Sequence, residues 1–270
     1  MSNALDRGLR ALELLAGHSE GLPLQDIAGA LDVAPSATHR MLASLVEMGY
    51  VRQDPRHGHY ILALKLISLA LKHLSDIDLV DLARPMLDRL ANESGELVRL
   101  GLVDGESLIW VSKAQGTRSG LRYDPDAGAE AKLSCTASGL AWLGTMTNEQ
   151  ALERVYRQGL PKPGQYGPQA PTTIDELLAR LQQTRSQGYA LVTETFEAGA
   201  AALAMPIMQA GQQTPAGVIS IAGPSVRLTP ERMQQLVPAL MQTARQLEHA
   251  QVGSVPHLSL MTATSVPALP

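Results

Sequence analysis

Between Leu24 and Val51 the apolar positions recur with helical spacing, stop, and recur again. Leu24, Ile27, Ala28 and Leu31 fall at i, i+3, i+4 and i+7, one face of a short helix, and Met41, Leu42, Leu45 and Val46 repeat that face in a second. Asp32-Val33-Ala34 leaves room only for a tight turn between them. Pro35 suits the first position of the second helix, where a missing N–H costs nothing, and Gly49 stops it. After Gly49 the period shortens to two: Tyr50 to Gln53 and His59 to Leu62 predict strands about a turn at Asp54-Pro55-Arg56-His57-Gly58. Upstream, Leu5, Leu9, Leu12 and Leu15 predict a helix capped by Ser2 or Asn3 and ended by Gly17.

Downstream, Ala63 to Leu74 is apolar nearly all round and predicts a helix buried on more than one side. The pattern breaks at Asp76 to Asp78. An amphipathic helix follows, with Leu79, Leu82, Ala83, Met86, Leu87 and Leu90, ending near Ser94-Gly95. Glu96 to Leu102 and Ser107 to Lys113 predict a hairpin about Asp104-Gly105. A loop over 115–133 leads through Ser134-Cys135-Thr136-Ala137-Ser138-Gly139 into a helix at Leu140-Ala141-Trp142-Leu143. Helices over Ala151 to Gln158 and Ile174 to Gln187, strands over Tyr189 to Glu194, Ala201 to Met208 and Ala216 to Ala222, and a helix from Thr229-Pro230 to about Glu248 complete the pattern. Three helices on one side of five or six antiparallel strands make an α+β domain. Residues 251–270 have no periodicity, and disorder or docking onto a neighbour is expected of them.

Two short helices across a three-residue turn form a helix-turn-helix, whose second helix offers its first residues to the DNA major groove. Here those residues are Ser36, Ala37, Thr38, His39 and Arg40, small enough for close approach and ending in a cation that can reach a phosphate or a guanine. The hairpin after it reads as a wing carrying Arg52, Arg56, His57 and His59.

The stretches Arg10-Ala11-Leu12-Glu13-Leu14-Leu15, Ala34-Pro35-Ser36-Ala37-Thr38-His39-Arg40 and Met48-Gly49-Tyr50-Val51 resemble the winged helix of IclR-type transcriptional regulators, and the resemblance extends over about residues 4–250. It implies an N-terminal winged helix-turn-helix over 1–75, a linker helix at 63–74, and a GAF-like antiparallel-sheet effector domain over 76–250. It also implies dimers through the DNA-binding domains, tetramers through the sensor domains, and two winged helices reading the half-sites of an operator duplex. The DNA-facing residues would then be Gln25, Ser36, Ala37, Thr38, His39, Arg40 and Ser44, with Arg56 and His57 of the wing on phosphates or in the minor groove.

Composition narrows this reading. The chain has 270 residues, enough for two domains with cores, and with 3% aromatic residues those cores must be aliphatic. No apolar run of eighteen residues and no signal-peptide pattern occurs, so the protein is expected in the cytoplasm. The net charge of −4 argues against a general polyanion binder. Residues 1–75 balance seven Lys or Arg against seven Asp or Glu and hold five of the seven histidines, which leaves this part neutral and makes two copies on a palindrome necessary.

For the effector, Cys135, Thr136, Ala137 and Ser138 precede a helix and so offer N–H groups to an acid. In relatives that bind small 2-oxo acids such as glyoxylate, an Asp matches Val192, a Cys matches Ala202, a Ser matches Ala222 and a second Ser matches Ser220. Three of those four positions are aliphatic here, which favours an acid with an apolar body, first an aromatic carboxylate and second a medium-sized aliphatic acid. Tyr123 and Trp110 would line the pocket, and Arg99 and Arg122 would add charge at its mouth. The competing class is a small-molecule enzyme using Cys135, since a helix start lowers a thiol pKa. Its other parts are missing: beyond residue 76 the only histidines are His249 and His257, a single cysteine excludes a Cys-rich zinc site, and no nucleotide-binding fingerprint or metal-ligand pair occurs. Neither a cofactor nor a metal is expected, and Arg118, Arg122, Asp124 and Asp126 read as a mixed-charge surface loop.

Overall fold

The computed structural model describes residues 3–77, 79–123, 128–208 and 214–251. The chain divides into two compact units, Met1–Asp76 and Ile77–Pro270. Asp78, Asp124, Asp126 and residues 252–270, on which some of the sequence expectations fall, lie outside the described residues.

The first unit opens with α1 (Ala4–Ala16), held at its start by a reciprocal cap in which the Asp6 N–H donates to Asn3 Oδ1 at 2.8 Å and the Asn3 N–H to Asp6 Oδ2 at 3.1 Å. Then come α2 (Leu24–Leu31), α3 (Pro35–Glu47), the hairpin β1 (Val51–Gln53) and β2 (Tyr60–Leu62), and α4 (Lys65–Ile77). Asp32 ends α2 in the left-handed region at φ 52°, a conformation that Asp tolerates better than most residues. Ala11, Leu12 and Leu15 of α1, Ile27 of α2, Leu42 and Leu45 of α3, and Val51 and Tyr60 of the hairpin form the core.

One sequence expectation needs correction in this unit. The inward face of α3 is Thr38, Leu42 and Leu45, at i, i+4 and i+7, while Val46 is 39% exposed. Thr38 can turn inward because its hydroxyl donates to the Ala34 carbonyl at 3.2 Å, which satisfies the one polar group that burial would strand. Within one chain α4 has little cover. Leu66, Ile67, Leu69 and Leu71, with Leu64 just ahead of the helix at 77% exposure, are open to solvent within one chain, as are Leu5 and Leu9 of α1.

The second unit contains α5 (Leu79–Ser94), β3 (Leu97–Asp104), β4 (Ser107–Gln115), α6 (Ala137–Leu143), α7 (Asn148–Gln158), α8 (Ile174–Gln187), β5 (Ala190–Thr193), β6 (Ala200–Met208), β7 (Pro215–Pro224) and α9 (Pro230–Gln251). The strands form one antiparallel sheet in the order β4-β3-β7-β6-β5. Helices cover both of its faces, not one side. Leu87 and Leu90 of α5 and Leu240 and Leu247 of α9 pack with Val98, Leu100, Leu203, Ile219 and Ile221. On the opposite face Leu140 and Trp142 of α6, Val155 of α7, and Leu177 and Leu181 of α8 pack with Trp110, Val192, Ala204 and Val218. The central strands β3 and β7 are therefore buried along almost their whole length, which continuous apolar sequence permits and a one-sided sheet would not need.

One irregularity shapes the second face. The β3–β4 pairing slips between Leu100, opposite Ser112, and Gly101, opposite Trp110. A single extra residue in β4 reverses which side chains face which layer, so Trp110 rather than Val111 shares the α6-α8 face with Arg99.

Candidate DNA-facing helix and effector cavity

On α3, Ser36, Arg40 and Ser44 recur at i, i+4 and i+8 and are exposed, with His39 beside them, Ala37 half-buried and Gln25 exposed on α2. Thr38, placed among the groove residues by sequence, is 0% exposed and belongs to the core. At the wing tip Asp54 organises the turn: it accepts from the backbone N–H groups of Arg56 at 3.3 Å and His57 at 3.1 Å, and its Oδ2 lies 2.7 Å from His57 Nδ1. These bonds, the His57 ring first, hold the Asp54 carboxyl below its ordinary pKa. Arg56 and His57 stay exposed at the end of a fixed turn.

In the second unit a small cavity of about 30 Å³ lies on the α6-α8 face of the sheet. Each strand contributes to its wall: β3 gives Arg99, β4 Trp110, β5 Val192, β6 Ala202 and β7 Ala222. Tyr123 and the run Cys135, Thr136, Ala137 and Ser138 close the other side. Residues far apart in sequence, several of them selected through the resemblance, thus meet at one place. Arg122 does not join them, being exposed while the next side chain, Tyr123, turns in. Ser220 does not line the cavity but is buried on the same face of the sheet, directly opposite Arg99 across the β3–β7 pair. Missed by the sequence reading were Thr195, Phe196, Ala200 and Ala201. Phe196 is the chain's one phenylalanine, set in an otherwise polar loop, and that was the available signal.

The hydrogen-bond ledger around Cys135 is more restrictive than the sequence implied. The N–H groups of Cys135 and Thr136 both donate to the Lys132 carbonyl, at 3.3 and 3.0 Å, and that of Gly139 goes to the Thr136 hydroxyl at 3.0 Å. Among the described residues this leaves Ala137 and Ser138, both buried, with unpaired N–H groups. The Thr195 hydroxyl donates to the Cys135 carbonyl and ties the β5–β6 loop to this run. Burial pushes the Cys135 thiol pKa up, so the sulfur stays a neutral wall group.

Arg99 is the unusual member of the wall. Its side chain is buried, at 5% exposure, with the guanidinium 3.8 Å from the Trp110 ring centroid, and its Nε has no hydrogen-bond partner. Burial pushes its pKa down to about 10, which still leaves it charged at neutral pH, and the neighbouring Tyr123 hydroxyl is pushed up by its own burial. Three residues earlier, Glu96 meets the usual condition for a buried charge, with Arg227 Nε 2.7 Å from Oε1 and Nη2 2.9 Å from Oε2. Trp110 Nε1 and Ser220 Oγ are also buried without partners.

Residues 4–55 match the IclR helix-turn-helix domain, and residues 71–249 match the bacterial transcriptional regulator IclR C-terminal domain. The chain belongs to the IclR family of transcriptional regulators. It is 31% identical over 252 residues to the HTH-type transcriptional regulator BhcR of Paracoccus denitrificans, covering 90% of this chain and 85% of that one. To the transcriptional repressor IclR of Escherichia coli it is 28% identical, over 93% and 90% of the two chains. An IclR homologue from Microbacterium hydrocarbonoxydans, solved in complex with 4-hydroxybenzoate, has the same fold with a TM-score of 0.79 at 21% identity, over 93% of this chain and 100% of that one. This IclR-family chain is accordingly a DNA-binding regulator with an effector domain, and its relatives are regulators and repressors rather than enzymes. Among the described residues no helix is long and apolar enough to cross a membrane.

Proposed function

We propose that this regulator binds operator DNA as a homodimer in the cytoplasm and that a small organic acid in the effector cavity controls the binding. The observation that carries the acid is the composition of the cavity wall: a buried guanidinium, two unpaired N–H groups and, among the described residues, no carboxylate side chain in the wall. Only an acceptor-rich, negatively charged guest complements such a set. Val192, Ala202 and Ala222 supply the apolar part of the wall, and Trp110, Tyr123 and Phe196 the aromatic part. This supports an acid with an apolar body, an aromatic carboxylate in first place, and the 4-hydroxybenzoate in the Microbacterium homologue is of that class.

On the DNA side the proposal assigns base contacts to Ser36, Ala37, His39 and Arg40, supporting contacts to Gln25 and Ser44, and phosphate or minor-groove contacts to Arg56 and His57. Thr38 is withdrawn. The dimer is supported by the apolar side chains that α1 and α4 leave uncovered, and pairing of effector domains would extend it to a tetramer. Effector binding then shifts the population of the dimer geometry that fits two half-sites.

Selection of duplexes from a random pool with the full-length protein tests both halves, repeated with 4-hydroxybenzoate, benzoate, glyoxylate and pyruvate present. A palindromic consensus whose retention changes with an aromatic acid is the expected result. Retention that changes with glyoxylate alone overturns the aromatic assignment, and a consensus indifferent to all four overturns control by these acids.

A further inference from the structure

We infer that the Phe196 side chain is the door of the effector cavity: molecules enter by displacing its ring, and the ring limits the size of what is admitted. The inference rests on reading this cavity as the effector's and goes beyond it by naming the way in. With about 30 Å³ of free space the cavity has room for about two water molecules, so nothing larger enters unless part of the wall yields. Most of the wall is fixed. Its strands are paired in one sheet, and the Cys135 and Thr136 N–H groups are both bonded to the Lys132 carbonyl.

Phe196 is different because it lines two spaces, this cavity and an outer cleft of about 570 Å³ whose walls include Glu130, Lys132, Arg154 and Tyr166. Its half-buried ring lies 5.5 Å from that of Tyr166, tilted by 34°. The backbone that carries the ring is pinned on several sides. The Thr195 hydroxyl donates to the Cys135 carbonyl, the Gly167 N–H to the Phe196 carbonyl at 3.0 Å, the Gln169 N–H to the Glu194 carbonyl at 3.0 Å, and the Gly199 N–H to Glu194 Oε1 at 2.8 Å. Gly167 approaches so closely that a Cβ there would stand 2.1 Å from the Glu194 carbonyl oxygen. A loop held at so many points does not swing as a lid. The ring can move alone, since rotation about its Cα–Cβ bond passes between staggered positions and breaks none of these bonds. Once withdrawn, it leaves both an opening to the outer cleft and its own volume, the space of a benzene ring, which suits an acid with an aromatic body.

Access can be timed without an effector, because Cys135 is the chain's single cysteine and lies in the cavity wall. Full-length protein is alkylated at one pH with N-methylmaleimide or the bulkier N-phenylmaleimide, followed by mass spectrometry, and each rate is divided by that of the urea-unfolded chain. In the wild type the smaller reagent should be the faster. Phe196→Ala is expected to speed both ten-fold or more and to bring their ratio near one, an effect on size selection that a changed thiol reactivity would not produce. Tyr123, the other half-buried aromatic residue of the wall, is the competing door, and Tyr123→Ala should leave both rates near those of the wild type. Low urea separates a moving ring from unfolding: passage by the ring is insensitive to it, whereas labelling through global opening accelerates. Rates unchanged by Phe196→Ala, a larger gain from Tyr123→Ala, or labelling of Phe196→Ala that accelerates with urea overturns the inference. These outcomes bear on the door alone, while the response of DNA retention to the four acids bears on the organic-acid reading.

Discussion

Arg40 sits four residues after Ser36 on the exposed side of α3 and touches nothing that the fold needs, so Arg40→Ala should leave the melting temperature unchanged and weaken operator binding about ten-fold or more. The salt dependence tells which contact is lost: a phosphate contact lowers the slope by about one and weakens all sequences alike, whereas a base contact relaxes one operator position. Unchanged binding in a mobility-shift titration would sink the assignment of this helix. Arg99 permits a prediction of the opposite kind. Its folded pKa, about 10, lies below that of the unfolded chain, so the unfolded state binds more protons above pH 10 and stability rises with pH there; below pH 10 the cost is present in full, about 3 kcal/mol at this depth of burial. The stabilisation of Arg99→Met over wild type, read by urea unfolding, should therefore be greatest below pH 9 and shrink above pH 10. Sequence alone could nominate Arg99 as a cation near the pocket but not as an unpaired one, because pairing depends on where Glu96 and Arg227, 131 residues apart, come together. Thr38 escaped for a similar reason: nothing in composition says that a threonine will cap its own burial by bonding to the carbonyl four residues back.

At the scale of elements, periodicity located every helix and strand that carries the site, and its errors lie in what those elements face. The slip between Leu100 and Gly101 is invisible in an alternating strand, yet it decides that Trp110 and not Val111 enters the cavity. The two-sided helical cover also went unread, since a buried strand and a half-buried one differ only in how apolar their second face is. Helix α6 offers a clean experiment. Ala137 occupies its first position, after Thr136 at φ −99° and ψ 148°, a geometry that accepts proline at the next residue. Ala137→Pro should thus fold and lose one unpaired N–H, with effector affinity falling about ten-fold in calorimetry; full affinity in a folded variant would remove Ala137 from the site. Gly139 marks the limit of tolerance in the same helix. A Cβ there would stand 2.3 Å from the Leu133 carbonyl oxygen, so Gly139→Ala must push α6 away from the turn that precedes it and should cost on the order of 2 kcal/mol or more in urea unfolding.

For the whole molecule the apolar residues around α4 decide between a monomer and an assembly. The sequence marked the segment as too apolar for one-sided burial, and within one chain Leu64, Leu66, Ile67, Leu69 and Leu71 remain exposed, with Leu5 and Leu9 of α1. A second copy is the simplest cover for such a surface, because both chains carry the same patch and a two-fold axis brings patch to patch. In the proposed dimer the same axis would supply two recognition helices, which a neutral DNA-binding unit needs: each winged helix carries few cations, and joining two on one duplex raises affinity through effective concentration without new contacts. Ile67→Glu therefore has a compound expected outcome. Because Ile67 is 55% exposed, the charge should leave each unit folded by circular dichroism. Like charges brought together at a shared axis should shift the protein towards monomer in sedimentation at micromolar concentration, and operator affinity should fall at least a hundred-fold while weak binding to any DNA persists. An unchanged sedimentation coefficient together with full operator affinity would place the dimer contact elsewhere.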